Sequence, residues 1–158
     1  MKRLRHLMVT LILVLIALTV AMSMLFYLVS AVAHYELDRQ DKFIESAETS
    51  HNLQRCRWVS DVIIKDEVMT LRCDNPVSGN HYYFFSQQIL LLGDLDPTEV
   101  HFDAAKSAFE SATSKTGLQI TLTLYKNEPV YWITDDRYEW LIDIKSYEIL
   151  WKVDKHYD

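Results

Sequence analysis

Residues 7–33 read LMVTLILVLIALTVAMSMLFYLVSAVA, 27 residues without one charge. Only Thr10, Thr19, Ser23, Tyr27 and Ser30 carry polar side-chain groups there. A helix of this length measures about 40 Å, against a bilayer hydrocarbon core of about 30 Å. Lipid offers nothing to free backbone groups, so a spanning segment of this kind is a helix. Lys2, Arg3 and Arg5 precede it, and His34, Tyr35 and Glu36 follow. The positive-inside rule then predicts a cytoplasmic tail at residues 1–6, a transmembrane helix at 7–33 and an outer part from residue 34 onward. Ala31, Val32 and Ala33 also fit a small-x-small cleavage site, but the apolar region of a signal peptide is shorter, about 7–15 residues. An uncleaved anchor at the cell membrane is the expectation.

Outward from that segment the composition changes. The chain has 158 residues, 49% of them apolar and 24% charged, with three Gly and three Pro. From His34 on there are 13 basic and 22 acidic residues, a net charge of −9. A part that acidic is a poor ligand for nucleic acid, whose affinity comes from cations set against phosphates. Two cysteines are too few for a disulfide-rich scaffold or a zinc site built on Cys.

The outer part reads as two similar units. Residues 34–52 are rich in helix formers and contain neither Gly nor Pro, so the helix is expected to continue straight on from the membrane segment. Residues 56–73, CRWVSDVIIKDEVMTLRC, read as a hairpin with Lys65 and Asp66 at its turn. DNPVSGN (74–80) is a loop, and HYYFFSQQILLL (81–92) is one strand or two. A second helix is expected from Asp96, with Pro97 in its first turn and Glu99 closing a capping box. Its buried face would be Val100, Ala104, Ala105, Ala108, Phe109 and Ala112, and Gly117 would cap its end. Strands then follow at 118–125, 129–134, 138–144 and 148–153. At an offset of 61, VIIKDEVMTL (62–71) lies over TLYKNEPVYW (123–132), with Lys65 on Lys126, Glu67 on Glu128 and Asp74 on Asp135. Each unit is one helix followed by a small antiparallel sheet. About 60 residues make a marginal core alone, so the two are expected to pack together.

This order, together with LYKNEPVYWITDDRYEWLIDIKSYEILWKV at 124–153, resembles the TseB-like (YpmB-type) membrane proteins of Gram-positive bacteria, which carry tandem PepSY, cystatin-like modules. The resemblance implies an α+β fold: an N-terminal transmembrane helix, then two helix-plus-antiparallel-sheet modules at 34–95 and 96–158. It implies no catalytic residue and no cofactor. It implies a role in cell-wall elongation through contact with a penicillin-binding protein. The family commonly has Gly in the last turn, where this chain has Tyr147.

The residues offer little chemistry. The sequence has no HExxH, GxSxG, P-loop or GxGxxG, and its six histidines include no i,i+4 pair. Asp135 and Asp136 beside Arg137 read as solvated turn residues, not a carboxylate pair. Neither Ser107 beside Lys106 nor Ser114 beside Lys115 has the strand-to-helix elbow of a nucleophile. No metal, no cofactor and no small-molecule substrate is expected. A two-residue turn at 65–66 makes facing residues sum to about 131, whereas Cys56 and Cys73 sum to 129. They would be diagonal neighbours about 7–8 Å apart, too far for a bond. A four-residue loop at 63–66 or one bulge would bring them face to face; two free thiols are the alternative.

The aromatic residues suggest a surface. Tyr82, Tyr83, Phe84, Phe85, Tyr131, Trp132 and Trp140 lie on strands, where consecutive side chains face opposite sides. Core packing accounts for half, and the outward half is a candidate partner surface. The expectation is a non-enzymatic, single-pass membrane protein whose extracellular domain binds and regulates an envelope protein. From the resemblance, that partner is the penicillin-binding protein of the elongation machinery. The alternatives are a PepSY-type inhibitor or folding partner of an exported protease, and an accessory subunit packed through Ala17, Thr19, Ala21 and Ser23 onto another membrane helix.

Overall fold

The structure, a computed structural model, describes the backbone of residues 2–155 and the side chains of residues 10–155. The basic side chains assigned to the cytoplasmic tail and residues 156–158 of the second module lie outside the described residues. The first element, α1, runs unbroken from Lys2 to His51. At 50 residues it is about 75 Å long. The chain divides into two compact units, Met1–Lys42 and Phe43–Asp158.

The first unit is helix alone. Among the described residues its apolar side chains are left uncovered: Leu11, Ile12, Leu13, Leu15, Phe26 and Val32 are all more than half exposed. It is long and apolar enough to cross a membrane. Thr19 donates its hydroxyl to the Ile16 carbonyl and Ser23 to that of Thr19, both at 2.8 Å. Those polar atoms are thus satisfied within the helix itself, as lipid requires.

The second unit is α+β. β1 (Gln54–Ile63), β2 (Glu67–Asn75), β3 (Gly79–Ser86) and β4 (Leu91–Leu95) form one antiparallel meander. A single 3-10 turn at Pro97–Glu99 and the helix α2 (Phe102–Thr113) connect it to a second meander. That sheet consists of β5 (Gln119–Tyr125), β6 (Glu128–Thr134), β7 (Tyr138–Asp143) and β8 (Ile149–Asp154) in sequence order. Both sheets therefore have the same topology. Glu67 and Glu128, equivalent at the offset of 61, each open the second strand of their sheet.

The first sheet is covered on both faces. Leu71, Cys73, Tyr83 and Phe85 point to one side, where Phe43, Ile44 and Ala47 of α1 lie with Leu53 and Trp58. Val68, Tyr82, Phe84 and Leu95 point to the other and join one cluster with Ala105 and Phe109 of α2 and Leu122, Tyr131, Ile133, Trp140 and Ile142 of the second sheet. Phe109 meets Trp140 edge-on at 5.1 Å. Where β5 crosses the first sheet, Ser60 and Thr70 donate their hydroxyls to the Leu122 carbonyl, at 2.7 and 3.1 Å. Those bonds satisfy a buried acceptor that no strand partner takes.

Several expectations change. Asp96 caps the 3-10 turn, its carboxylate accepting from the Thr98 N–H at 2.7 Å, but Val100 is extended and α2 starts at Phe102. Three residues of helix signal therefore serve a separate turn. Ala105 and Phe109 are the buried residues of α2, while Ala104 and Ala112 are exposed. The buried stripe is narrower than expected and runs through Ala105 and Phe109, four residues apart. Ser114, in the left-handed conformation at φ 58°, caps the end in place of Gly117, its N–H bonding the Glu110 carbonyl.

The aromatic run is core, not surface. Tyr82, Tyr83, Phe84 and Phe85 are all buried, because a sheet covered on both faces leaves neither alternate set exposed. Tyr131 and Trp140 are buried as well, and Trp132 is half-buried. Of the seven rings whose outward half was the candidate partner surface, only Trp132 is not fully buried.

Candidate functional site

Cys56 and Cys73 are bonded across β1 and β2, with Cα atoms 4.0 Å apart. The register explains how. Ile63 opposes Glu67 and Ser60 opposes Thr70, then a shift between Trp58 and Ser60 puts Trp58 opposite Leu71 and Arg57 opposite Arg72. That bulge advances β1 by one residue, which carries Cys56 level with Cys73. The Cys56 N–H donates to Glu48 of α1 at 2.7 Å, so the bonded pair also ties the helix end to the sheet.

The acidic turn after β6 is a fixed Asx turn. Asp135 accepts from the N–H groups of Arg137 at 2.8 Å and Tyr138 at 2.5 Å, and from the Lys115 ammonium at the end of α2. Burial pushes the Asp135 carboxyl up, but the Lys115 bond and the two backbone donors outweigh it and hold the pKa at about 2. Lys115 and Lys152 lie over the Tyr138 ring, 5.0 and 3.9 Å from its centre. Asp136 is exposed. This is a charged joint between α2 and the second sheet; its donors and acceptors are engaged with one another. The Asp143 carboxyl is likewise lowered, by the Ser146 and Lys145 N–H groups in the last turn. In that turn Tyr147 has φ 58°, the conformation glycine adopts most readily.

Exposed apolar side chains of the second unit gather elsewhere. Ile63 is 71% exposed, and Leu90, Leu91 and Leu92 are 63, 44 and 41% exposed. All four lie at one end of the first sheet, where β1 turns into β2 and β3 into β4. There Ile63 and Leu92, with the β5–β6 turn, border a groove of ≈ 870 Å³ whose lining does not include Leu90 or Leu91. Val68, Leu92 and Leu124 give it an apolar lining, and Gln87, Gln88 and Asn127 a neutral polar one. The two turn lysines matched by the repeat, Lys65 and Lys126, line this same groove.

The walls of the groove are held in place. Ser86 Oγ accepts from the N–H groups of Gln88 and Leu90, and the Ile89 N–H bonds the Ser86 carbonyl at 3.0 Å. This forces Ile89 to φ 61°, a rare conformation for a β-branched residue. His51, the last residue of α1, donates Nε2–H to the Ile89 carbonyl at 3.0 Å and fastens the loop to the helix. Across the groove, Lys126 and Asn127 have φ 54° and 66°, so the β5–β6 connection is a type I′ turn. Sequence reasoning placed both lysines in turns but did not bring the turns together. The signal that marks the groove is local: an exposed leucine, Leu92, after a hairpin strand, and a lysine where Asn or Gly is favoured.

Among the described residues no group of three His, Cys, Asp or Glu side chains is placed to hold a metal ion. No protein-family model, curated protein or solved structure matches the chain.

Proposed function

We propose that this chain is a non-enzymatic, single-pass membrane protein whose domain from residue 34 onward lies outside the cell and binds an envelope partner. The observation that carries the reading is the pairing of an uncovered apolar helix with a sheet domain that gathers its own exposed apolar residues at one end. The helix requires lipid to cover it. Among the described residues, the sheet domain has an open groove lined by apolar, polar and charged side chains. The two helix-plus-sheet units are read as PepSY-like modules, at 34–95 and 96–158. Their matching meanders and the left-handed backbone at Tyr147, where the TseB-like family commonly has Gly, support that reading. By the same resemblance the partner is a penicillin-binding protein of the elongation machinery, and the N-terminus is cytoplasmic.

Purification of the full chain from detergent-solubilised membranes tests this. The expected result is recovery of a penicillin-binding protein, lost when residues 34–158 are replaced by an unrelated domain. Recovery of no specific envelope protein, or inhibition of an exported protease by the outer domain instead, would contradict it.

A further inference from the structure

We propose that Arg57 and Arg72, facing each other across β1 and β2, form a binding site for a phosphate group. The site goes beyond the partner-binding reading and does not depend on it.

The sequence concentrates the charge. From residue 34 onward the chain has five arginines, and three of them, Arg55, Arg57 and Arg72, flank the two cysteines. The strand register puts Arg57 directly opposite Arg72, and Tyr82 of β3 opposite Arg72 on its other side. Register partners point to the same face of a sheet, so the two guanidiniums and the ring form one row.

Like charges directly opposite each other destabilise a strand pair. The outer part has 22 acidic residues, yet none stands between these two. Asp74, two residues further along β2 on the same face, is held by Arg55. Among the described residues neither Arg57 nor Arg72 is in an ion pair. The Cys56–Cys73 bond joins the two strands one residue away from each arginine and holds them together against the repulsion.

Arg72 is already oriented. Its Nε–H donates to the Asn80 side-chain oxygen at 2.9 Å, and its guanidinium lies over the Tyr82 ring, 5.6 Å from the centre. The bond and the ring fix the plane of the group. Its other N–H donors belong to the two terminal nitrogens, the prongs with which a guanidinium grips an oxyanion. Arg57 faces it, exposed and without a hydrogen-bond or ion-pair partner among the described residues.

Two guanidiniums on neighbouring strands offer two positive charges and two forks. A phosphate monoester carries close to two negative charges at neutral pH and three acceptor oxygens, so it neutralises both arginines and serves both forks. A carboxylate has one charge and two oxygens in one plane, enough for a single fork. The pair therefore selects phosphate.

Titration of the full chain in dodecyl maltoside, a phosphate-free detergent, tests the site. The Nε–H signal of Arg72 is followed by nuclear magnetic resonance with isotope-labelled arginine, and is identified by its loss in Arg72→Gln. Inorganic phosphate, glycerol phosphate and dihexanoyl phosphatidic acid are the probes, with acetate as the comparison. A saturable shift is expected with the phosphate probes, and roughly tenfold weaker binding with acetate. Phosphate affinity is expected to fall roughly tenfold in Arg57→Gln and to be unchanged in Lys145→Gln, on an exposed turn of the second sheet. Arg57→Glu is expected to abolish binding and to raise the midpoint of thermal unfolding, because an opposite-charge pair replaces a like-charge one. Loss of binding in that variant is then not loss of the fold. An Arg72 signal indifferent to phosphate, acetate bound as tightly as phosphate, or full phosphate affinity in Arg57→Glu would overturn the proposal. Tighter binding of inorganic phosphate than of either ester would mark a site for the free ion, and tighter binding of phosphatidic acid than of glycerol phosphate a site for a lipid headgroup; both uphold it.

Discussion

Lys126 adopts a conformation that asparagine tolerates better. Lys126→Asn is therefore expected to stabilise the domain by about 1 kcal/mol. Urea unfolding measures the first, and a fall in stability would show that the turn strain is not as described. Asp135 gives a pH prediction at the same scale. Its folded pKa of about 2 lies below the unfolded value near 4, so its contribution is fully present above about pH 4 and lost as pH falls towards 2. The stability difference between the native chain and Asp135→Asn is expected to shrink over that window and vanish near pH 2. A difference constant from pH 5 to pH 2 would contradict the charged joint. Residue types alone marked Asp135 as a turn residue. The Lys115 partner was not legible, because it depends on where α2 ends relative to a strand 20 residues away.

At the scale of elements, the two faces of α2 separate cleanly. Ala104→Gln faces solvent and is expected to change stability by less than about 0.5 kcal/mol, whereas Ala105→Gln must enter the cluster around Phe109 and Trp140 and is expected to cost about 1–3 kcal/mol or more. Equal costs at the two positions in thermal unfolding would restore the wider buried face that included Ala104. Strand order, both sheets and most turns were legible from alternation and turn chemistry. The start of α2 was not, since Asp96, Pro97 and Glu99 satisfy a one-turn cap as well as a long helix. Burial of Tyr82, Tyr83, Phe84 and Phe85 was not legible either. One strand cannot reveal that a helix covers one face of its sheet and a second sheet lies on the other. The bond between Cys56 and Cys73 closes a segment with a sequence separation of 17, and its reduction is expected to cost about 3 kcal/mol. The same treatment should add two hydrogen masses to the chain. An unchanged mass would mean that the thiols are free.

For the whole molecule, the central claim is that a lipid-embedded helix carries an outward-facing binding domain. The apolar segment was fully legible, because length and lack of charge decide it. The groove was not, since it is assembled from three turns far apart in sequence. The most direct measurement is protease added outside intact, wall-stripped cells, followed by carbonate extraction of the membranes. The account predicts digestion of the chain from residue 34 onward without lysis, with a fragment containing residues 7–33 left in the membrane pellet. A chain digested only after lysis, or one released by carbonate, would contradict it.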